Sequence, residues 1–266
     1  MASEEWAGLG PGDVVLVVAP HFDDAALSAF ALLALRATVL TVCTGRPDPP
    51  QRTRWDRRCG FRDSSEAMAA RRREDDAALL ALGVVRREVG LLDAQYVPAR
   101  TEEDAALLVG AVAAWQTEHP GGAVALPAGS GMRPSLVARV RRRIPHRRLG
   151  VACASAPHPD HVWVGDQLVR AASNAGLVVY EDLPYAWSAP AGPRARALSA
   201  RAGRTSVPFT LSVERDRKAL AVAAYHSQLR GILPRWVRSP AEALADEEHY
   251  WHLVPAGGSG GGRRPT

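Results

Sequence analysis

The hydrophobic pattern of the chain alternates between short apolar runs and longer segments whose apolar residues recur with a helical period. Residues 13–19 form an apolar, β-branched run, which is typical of a buried parallel strand. Residues 24–36 place their larger apolar side chains on one helical face and predict a single helix. This alternation predicts an α/β fold, a Rossmann-like and mostly parallel sheet with helices on both faces.

The rest of the chain largely follows the same rhythm. Further strands are predicted at 38–43, 84–89, 123–126 and 177–180, and further helices at 64–82, 102–118 and 162–175. Three polar segments rich in Pro and Arg interrupt the pattern, at 45–63, 127–157 and 186–206. Loops of that length in a compact domain are often functional, so these segments are expected to form walls or lids of a site.

Length and composition indicate one domain. A chain of 266 residues that is 47% hydrophobic can bury a full core, so residues 1–256 are expected to form a single domain. Residues 257–266 are rich in Gly and Arg and are expected to be a disordered tail. The chain has no membrane-length apolar run, no secretory signal and only three cysteines, which together favour a cytoplasmic location.

The positive charge does not indicate a nucleic-acid partner. The formal net charge is +5, and Lys218 is the only lysine, so the basic residues are almost all arginine. The densest basic cluster lies within 141–148 and lacks interleaved aromatic residues or a binding motif. A small-molecule substrate is therefore the expected partner, and the oligomeric state stays open.

Two short motifs, far apart in sequence, carry the candidate chemistry. The first apolar run leads into His21, Asp23 and Asp24, and a later His-Pro-Asp-His segment supplies His158 and His161. The first motif follows a predicted strand, where sites form in open α/β sheets. Two imidazoles and a carboxylate could bind one metal ion, and a second carboxylate and imidazole would remain for acid–base chemistry. The pattern predicts a hydrolytic metal site.

Other interpretations exist for each residue group. Asp23 and Asp24 could serve only as an N-terminal helix cap. His249 and His252 repeat the His-x-x-His spacing, but they lie in an aromatic segment that is more typical of core or interface packing. The metal-site interpretation of the two main motifs is favoured because both motifs occur in the same chain.

The chain resembles the LmbE/PIG-L family of zinc-dependent N-deacetylases, whose members carry His-Pro-Asp-Asp-Glu after a strand and a later His-x-x-His. Three further segments fit the resemblance: residues 71–74 at the start of the helix ending at 82, residues 180–185, and residues 218–228. Together the matches cover roughly residues 13–253. The resemblance implies an enzyme that hydrolyses an amide C–N bond.

The resemblance also implies the metal ligands. His21, Asp24 and His161 would bind one Zn²⁺ per chain, although Fe²⁺ or Co²⁺ could occupy a site with the same ligands. Asp23 would be the general base toward water at the metal. His158 would be the protonated partner that stabilises the oxyanion or protonates the leaving amine.

Two more residues are assigned by the resemblance alone. Arg71 and Asp93 would bind hydroxyl groups of a sugar substrate. The chain departs from the family pattern at Phe22, where Pro is usual, and at Ala25, where Glu is usual. Loss of a carboxylate that orients metal ligands can cost about 10–100-fold in metal affinity or activity, so another acid would have to compensate for Ala25.

Three functions remain open at this level. The first is removal of an acetyl group from an N-acetylated amino sugar within a glycoside, thiol precursor or natural-product intermediate. The second is hydrolysis of another amide, such as that of a thiol S-conjugate. The third is a catalytically inactive carbohydrate-binding module, a reading motivated by Ala25.

Overall fold

A seven-stranded sheet forms the centre of the computed structural model, which describes residues 13–131, 156–171, 176–233, 237 and 239–256. The strands are β1 Val14–Ala19, β2 Arg36–Thr41, β3 Val85–Glu88, β4 Ala123–Pro127, β5 Gly176–Tyr180, β6 Arg204–Ser212 and β7 Glu247–Pro255. Their order is β3-β2-β1-β4-β5-β7-β6. Strands β1 to β5 are parallel, whereas β7 is antiparallel to both β5 and β6.

Helices cover both faces of this sheet. They are α1 Asp24–Ser28, α2 Phe30–Leu33, α3 Arg54–Cys59, α4 Ser64–Leu82, α5 Glu102–Glu118, α6 Pro159–Ala171, α7 Gly192–Arg201, α8 Arg215–Ala223, α9 His226–Ile232 and α10 Pro240–Ala243. Leu16 and Val18 of β1 pack in the core with α5 to α7, and Val15 and Val17 pack in the opposite core with α1, α2 and α8. The predicted α/β fold is confirmed. No helix among the described residues has the length and apolar character needed to cross a membrane.

The prediction of one helix over 24–36 is wrong. Two short helices, α1 and α2, meet at Ala29, and β2 already begins at Arg36. The buried carboxylate of Glu248 accepts hydrogen bonds from the backbone N–H groups of Phe30 (3.0 Å) and Ala31 (2.8 Å). Lys218 donates to the same carboxylate. The ion pair of Glu248 with Lys218 thus provides hydrogen-bond acceptors for the backbone N–H groups at the start of α2, and it stabilises the break between α1 and α2.

The prediction of long loops also needs correction. Residues 45–63 contain α3, which begins with a capping box formed by Thr53 and Asp56. Residues 186–206 contain α7 and the beginning of β6, because an Ala- and Arg-rich sequence after an early Pro is compatible with a helix. Most of 127–157 lies outside the described residues, as does the predicted tail 257–266.

Phe22, which replaces the usual Pro, is a core residue. Its side chain is buried against α4 and α8, and the guanidinium groups of Arg72 and Arg86 lie 5.6 Å and 5.5 Å from its ring centroid. The aromatic ring therefore anchors the turn after β1 by packing.

A buried carboxylate on α4 predicts a pH-dependent stability. Asp75 accepts hydrogen bonds from Tyr225 (2.6 Å) and Arg86 (2.8 Å), and burial raises its pKa to about 6 despite these contacts. Folding thus favours the protonated carboxyl. This contribution to stability is present below the unfolded pKa of about 4 and is lost as the pH rises through about 6.

We expect Asp75→Asn to remove this dependence. The free energy of unfolding of the variant, relative to the wild type, should rise between pH 4 and pH 7 by up to about 3 kcal/mol. Urea unfolding across that range measures the difference. Asp76→Asn is the matched control, because the neighbouring Asp76 carboxylate is exposed and pairs with the same Arg86. Parallel profiles for the Asp75→Asn and wild-type proteins would contradict the expectation.

Candidate active site

The candidate site lies at the carboxyl ends of the parallel strands. His21 follows β1, Asp93 lies in the connection after β3, and Asp182 follows β5. His158 and His161 lie at the start of α6, which connects β4 to β5. The chain reverses its direction of strand addition between β1 and β4, and crevices at such switch points are the usual ligand sites of α/β sheets.

The three residues predicted as metal ligands come together. Oδ2 of Asp24 lies 3.3 Å from Nδ1 of His21 and 3.3 Å from Nε2 of His161. The same oxygen accepts a 2.7 Å hydrogen bond from the backbone N–H of His21, which fixes the carboxylate in the turn. All three side chains are buried.

The surroundings of His161 fit a metal cation. Its Nδ1 lies 2.9 Å from Oδ2 of Asp182, and Asp182 is itself held by the backbone N–H and hydroxyl of Ser130. The opposite nitrogen, Nε2, is buried, and apart from its 3.3 Å contact with Oδ2 of Asp24 it has no hydrogen-bond partner in the described part of the chain. A carboxylate that accepts a hydrogen bond from Nδ1–H favours the tautomer with its proton on Nδ1. The lone pair is then on Nε2, as in carboxylate–histidine–metal arrangements.

The pKa values in this cluster reflect a site that attracts positive charge. Burial alone would raise the pKa of Asp24, but His161 and His21 hold it well below its usual range. Burial would likewise lower the pKa of His161, yet Asp24 and Asp182 raise it to about 9. A cation beside these carboxylates would be stabilised in the same way as the imidazolium.

Asp160 holds His21 from the other side. Nε2 of His21 lies 3.1 Å from Oδ2 of Asp160, and Arg100 and the backbone N–H of Ala94 donate to the Asp160 carboxylate. With the proton on Nε2, the Nδ1 lone pair of His21 faces Asp24. Sequence reasoning missed this role, although Asp160 stands inside the His-Pro-Asp-His segment.

Ala25 adds no polar group to the site. Its side chain is fully buried in the apolar core beneath α1. The carboxylates closest to the nitrogens of His21 and His161 that face away from Asp24 are Asp160 and Asp182. They occupy the positions from which a carboxylate can orient each imidazole.

Asp23 lies beside Arg71 at the edge of the cluster. The Arg71 guanidinium is 3.5 Å from Oδ1 of Asp23 and 3.2 Å from Oδ2 of Asp93. Burial and the adjacent Asp24 raise the pKa of Asp23, whereas Arg71 acts in the opposite direction. The structure therefore joins the predicted base to both predicted sugar-binding residues in one charged network.

His158 is half-buried and faces the other histidines. Its ring centroid lies 4.7 Å from that of His21 and 5.5 Å from that of His161. Ring nitrogens of these three histidines approach within 4.8 Å of one another, so His158 is close enough to be an alternative ligand. Burial, together with His21 and His161, lowers the pKa of His158 to about 4.

A cavity of about 310 Å³ opens onto this cluster. Its polar floor is formed by His21, Asp23, Asp24, Arg71 and Asp93, with His158 at the side. The rest of the wall is more apolar and includes Trp55, Leu183, Tyr185 and Ile232. A concave site with few convergent polar groups and largely apolar walls is typical of small-molecule binding.

The comparisons with known proteins identify the fold. No protein-family model matches the chain, and no curated protein matches it. Several solved structures match the chain. A deacetylase triple mutant from the teicoplanin biosynthetic pathway is 25% identical with a TM-score of 0.68, over 92% of this chain and 99% of that one. The chain shares its fold with deacetylases.

Two further deacetylase structures support this similarity. The zinc-inhibited form of teicoplanin deacetylase is 26% identical with a TM-score of 0.62, over 92% of this chain and 100% of that one. The deacetylase of the A40926 pseudoaglycone is 24% identical with a TM-score of 0.62, over 92% and 98% of the two chains. The similarity therefore extends over nearly the whole length of each protein.

The contact between Asp182 and His161 predicts a specific effect on metal affinity. In Asp182→Asn, the amide oxygen would stay opposite the two Ser130 donors, and the NH₂ group would face Nδ1 of His161. That arrangement favours the tautomer with a proton on Nε2. We expect zinc affinity to fall by about 10–100-fold, measured by competition with a chelator.

Asp166→Asn is the control for this variant. Asp166 lies on the same helix, α6, but pairs with Arg194 and Arg201 outside the cavity. Its zinc affinity should equal that of the wild type. An unchanged affinity in Asp182→Asn would show that Asp182 does not orient a metal ligand.

Proposed function

We propose that the chain is a metal-dependent hydrolase that removes the acetyl group from an N-acetylated amino sugar in a small glycoside. The observation that carries the proposal is the buried Nε2 of His161, which faces Asp24 at 3.3 Å without a hydrogen bond among the described residues, in a chain with the fold of deacetylases. The neighbours named for teicoplanin and the A40926 pseudoaglycone favour a natural-product glycoside as substrate. Residues 1–256 would form the single catalytic domain.

His21, Asp24 and His161 would hold the metal ion. Zinc is the preferred ion for two imidazoles and a carboxylate, and Fe²⁺ or Co²⁺ fits the same ligands. When bound, the ion would act as a Lewis acid toward the acyl oxygen and lower the pKa of water at the site. Asp160 and Asp182 would orient the two imidazoles toward it.

Asp23 would accept a proton from the attacking water. Its carboxylate is buried at the cavity floor, and burial raises its pKa above that of a free aspartate, which makes it a stronger base. As the water oxygen bonds to the acyl carbon, the oxyanion would receive an N–H hydrogen bond from His158. The C–N bond would then break as the amine nitrogen takes the proton that Asp23 accepted from water, and acetate and a free amine would leave.

Arg71 and Asp93 would bind hydroxyl groups of the sugar. Both line the cavity, and the Arg71 Nε–H has no hydrogen-bond partner among the described residues although it is buried. The ion pairs of Arg71 with Asp23 and Asp93 suggest a second task, which is to fix the position of the Asp23 carboxylate. Sugar binding and base positioning would then be coupled through one guanidinium.

Two measurements test the proposed function in sequence. Elemental analysis of protein purified without added metal or chelator should give about one zinc or iron per chain. The metal-loaded protein should then release acetate from N-acetylglucosaminides. Release of a different acid from another amide would favour the amidase alternative. Failure to take up zinc, with sugar binding retained, would favour an inactive binding module.

A further inference from the structure

Trp55 forms part of the cavity wall and is held in place by an internal hydrogen-bond chain. Its indole Nε1–H donates to Oε1 of Gln228 (3.0 Å), and Nε2 of Gln228 donates to the hydroxyl of Ser227 (3.1 Å). Ser227 in turn donates to the buried carboxylate of Glu74 (2.7 Å). The indole N–H is therefore satisfied within the protein, and the ring is positioned by buried neighbours.

Gly231 makes room for this ring. A Cβ at Gly231 would lie 2.7 Å from Cζ2 of Trp55, closer than real Cβ atoms come to other heavy atoms. Gly231 lies within α9, so its backbone does not itself require glycine. The steric reason for glycine is the position of the Trp55 indole.

The cavity is lined by charged residues at its floor and by more apolar residues at its mouth. The charged residues Asp93 and Arg71 at the floor are almost fully buried, whereas Trp55 and Ile232 are only partly buried and lie nearer to solvent. A glycoside whose acetamido group reaches the floor would direct its other substituents toward this apolar mouth. The indole of Trp55 is an aromatic ring there, and aromatic rings stack on one another.

We infer that Trp55 is a specificity-determining residue for the group attached to the amino sugar, and that this group is aromatic. Gln228 and Gly231 position the indole, and Trp55 contacts the aromatic aglycone while the sugar lies deeper. This inference rests on the proposed deacetylase function. It adds an aromatic subsite at the mouth of the same cavity.

The test compares phenyl and methyl N-acetyl-β-glucosaminide. For the wild type, kcat/KM for acetate release should be about tenfold higher for the phenyl glycoside. Trp55→Ala should lower this phenyl-to-methyl ratio by about tenfold, mainly through KM for the phenyl glycoside. Trp55→Phe should recover part of the ratio, because a flat aromatic face remains.

Gly231→Ala provides an independent variant that keeps the indole but displaces it. Its phenyl-to-methyl ratio should fall by about threefold or more. The matched control is Gly110→Ala in α5, where a Cβ would meet no described atom within 4 Å. A ratio unchanged in both Trp55→Ala and Gly231→Ala, with acetate still released, would overturn the inference and leave the proposed function standing.

Equilibrium binding separates the two proposals. In the Asp23→Asn protein, where turnover is slow, calorimetry should give about tenfold tighter binding of the phenyl than of the methyl glycoside. The additional Trp55→Ala substitution should abolish that difference. Preferential phenyl binding through Trp55 without acetate release in any wild-type assay would support the subsite and overturn the deacetylase function. Equal binding of both glycosides would overturn the subsite.

Discussion

Asp23→Asn is expected to lower kcat for deacetylation by about 10²–10⁴-fold while the metal content stays at one ion per chain. The amide cannot take a proton from water, yet it has the shape of the carboxylate and can still contact Arg71. The lost carboxylate is not one of the proposed ligands. The loss should therefore appear in kcat, with a smaller effect on KM. Steady-state rates of acetate release and elemental analysis of the same sample measure both quantities.

The control for Asp23→Asn must separate loss of a base from loss of charge. Asp166→Asn removes a carboxylate that is ion-paired with Arg194 and Arg201, away from the cavity, and should keep the wild-type rate. A kcat within about threefold of the wild type in Asp23→Asn would remove Asp23 from the role of base. Loss of the metal in that variant would instead place Asp23 among the groups that hold the ion.

The sequence was sufficient for the parallel half of the sheet because its signals are local. The apolar run before His21 predicts β1, and the helix over 64–82 agrees with α4 at both ends, where Asp63 caps the start and Gly83 adopts a left-handed conformation at the end. The break between α1 and α2 could not be predicted in this way. It depends on Glu248, which lies more than 200 residues further along the chain.

The candidate site, like the fold, could be predicted only where its signals are local in sequence. Two motifs of four residues each predict which side chains meet, and the fold brings His21, Asp24 and His161 together. The contacts that orient them depend on tertiary structure, since Asp182 reaches His161 only because β5 lies beside β4. No sequence motif includes Trp55, and its position in the cavity wall depends on packing between α3 and α9.

His161→Ala is expected to abolish stoichiometric metal binding, with zinc affinity reduced by more than the roughly 100-fold that loss of an orienting residue can cause. The structural reason is that Nε2 of His161 is buried, faces Asp24 at 3.3 Å, and makes no hydrogen bond within the described residues. Activity without added metal should fall to the level of the blank. Because the substitution leaves Asp24 and Asp182 buried without their imidazole, thermal unfolding must accompany the analysis. His161→Gln retains a donor for Asp182 and should also lose the metal.

His158→Ala distinguishes the proposed ligand set from its alternative. If His21, Asp24 and His161 bind the ion, His158→Ala keeps one metal per chain and loses about 10²–10⁴-fold in kcat, because the oxyanion loses its N–H hydrogen-bond donor. If His21, His158 and His161 bind it, as the 4.8 Å spacing of their ring nitrogens would allow, both His158→Ala and His161→Ala lose the metal. The exposed His226 provides the neutral comparison, since His226→Ala should change neither quantity. Retained zinc in His161→Ala would contradict both ligand sets, because each depends on the buried nitrogen that Asp182 holds in place.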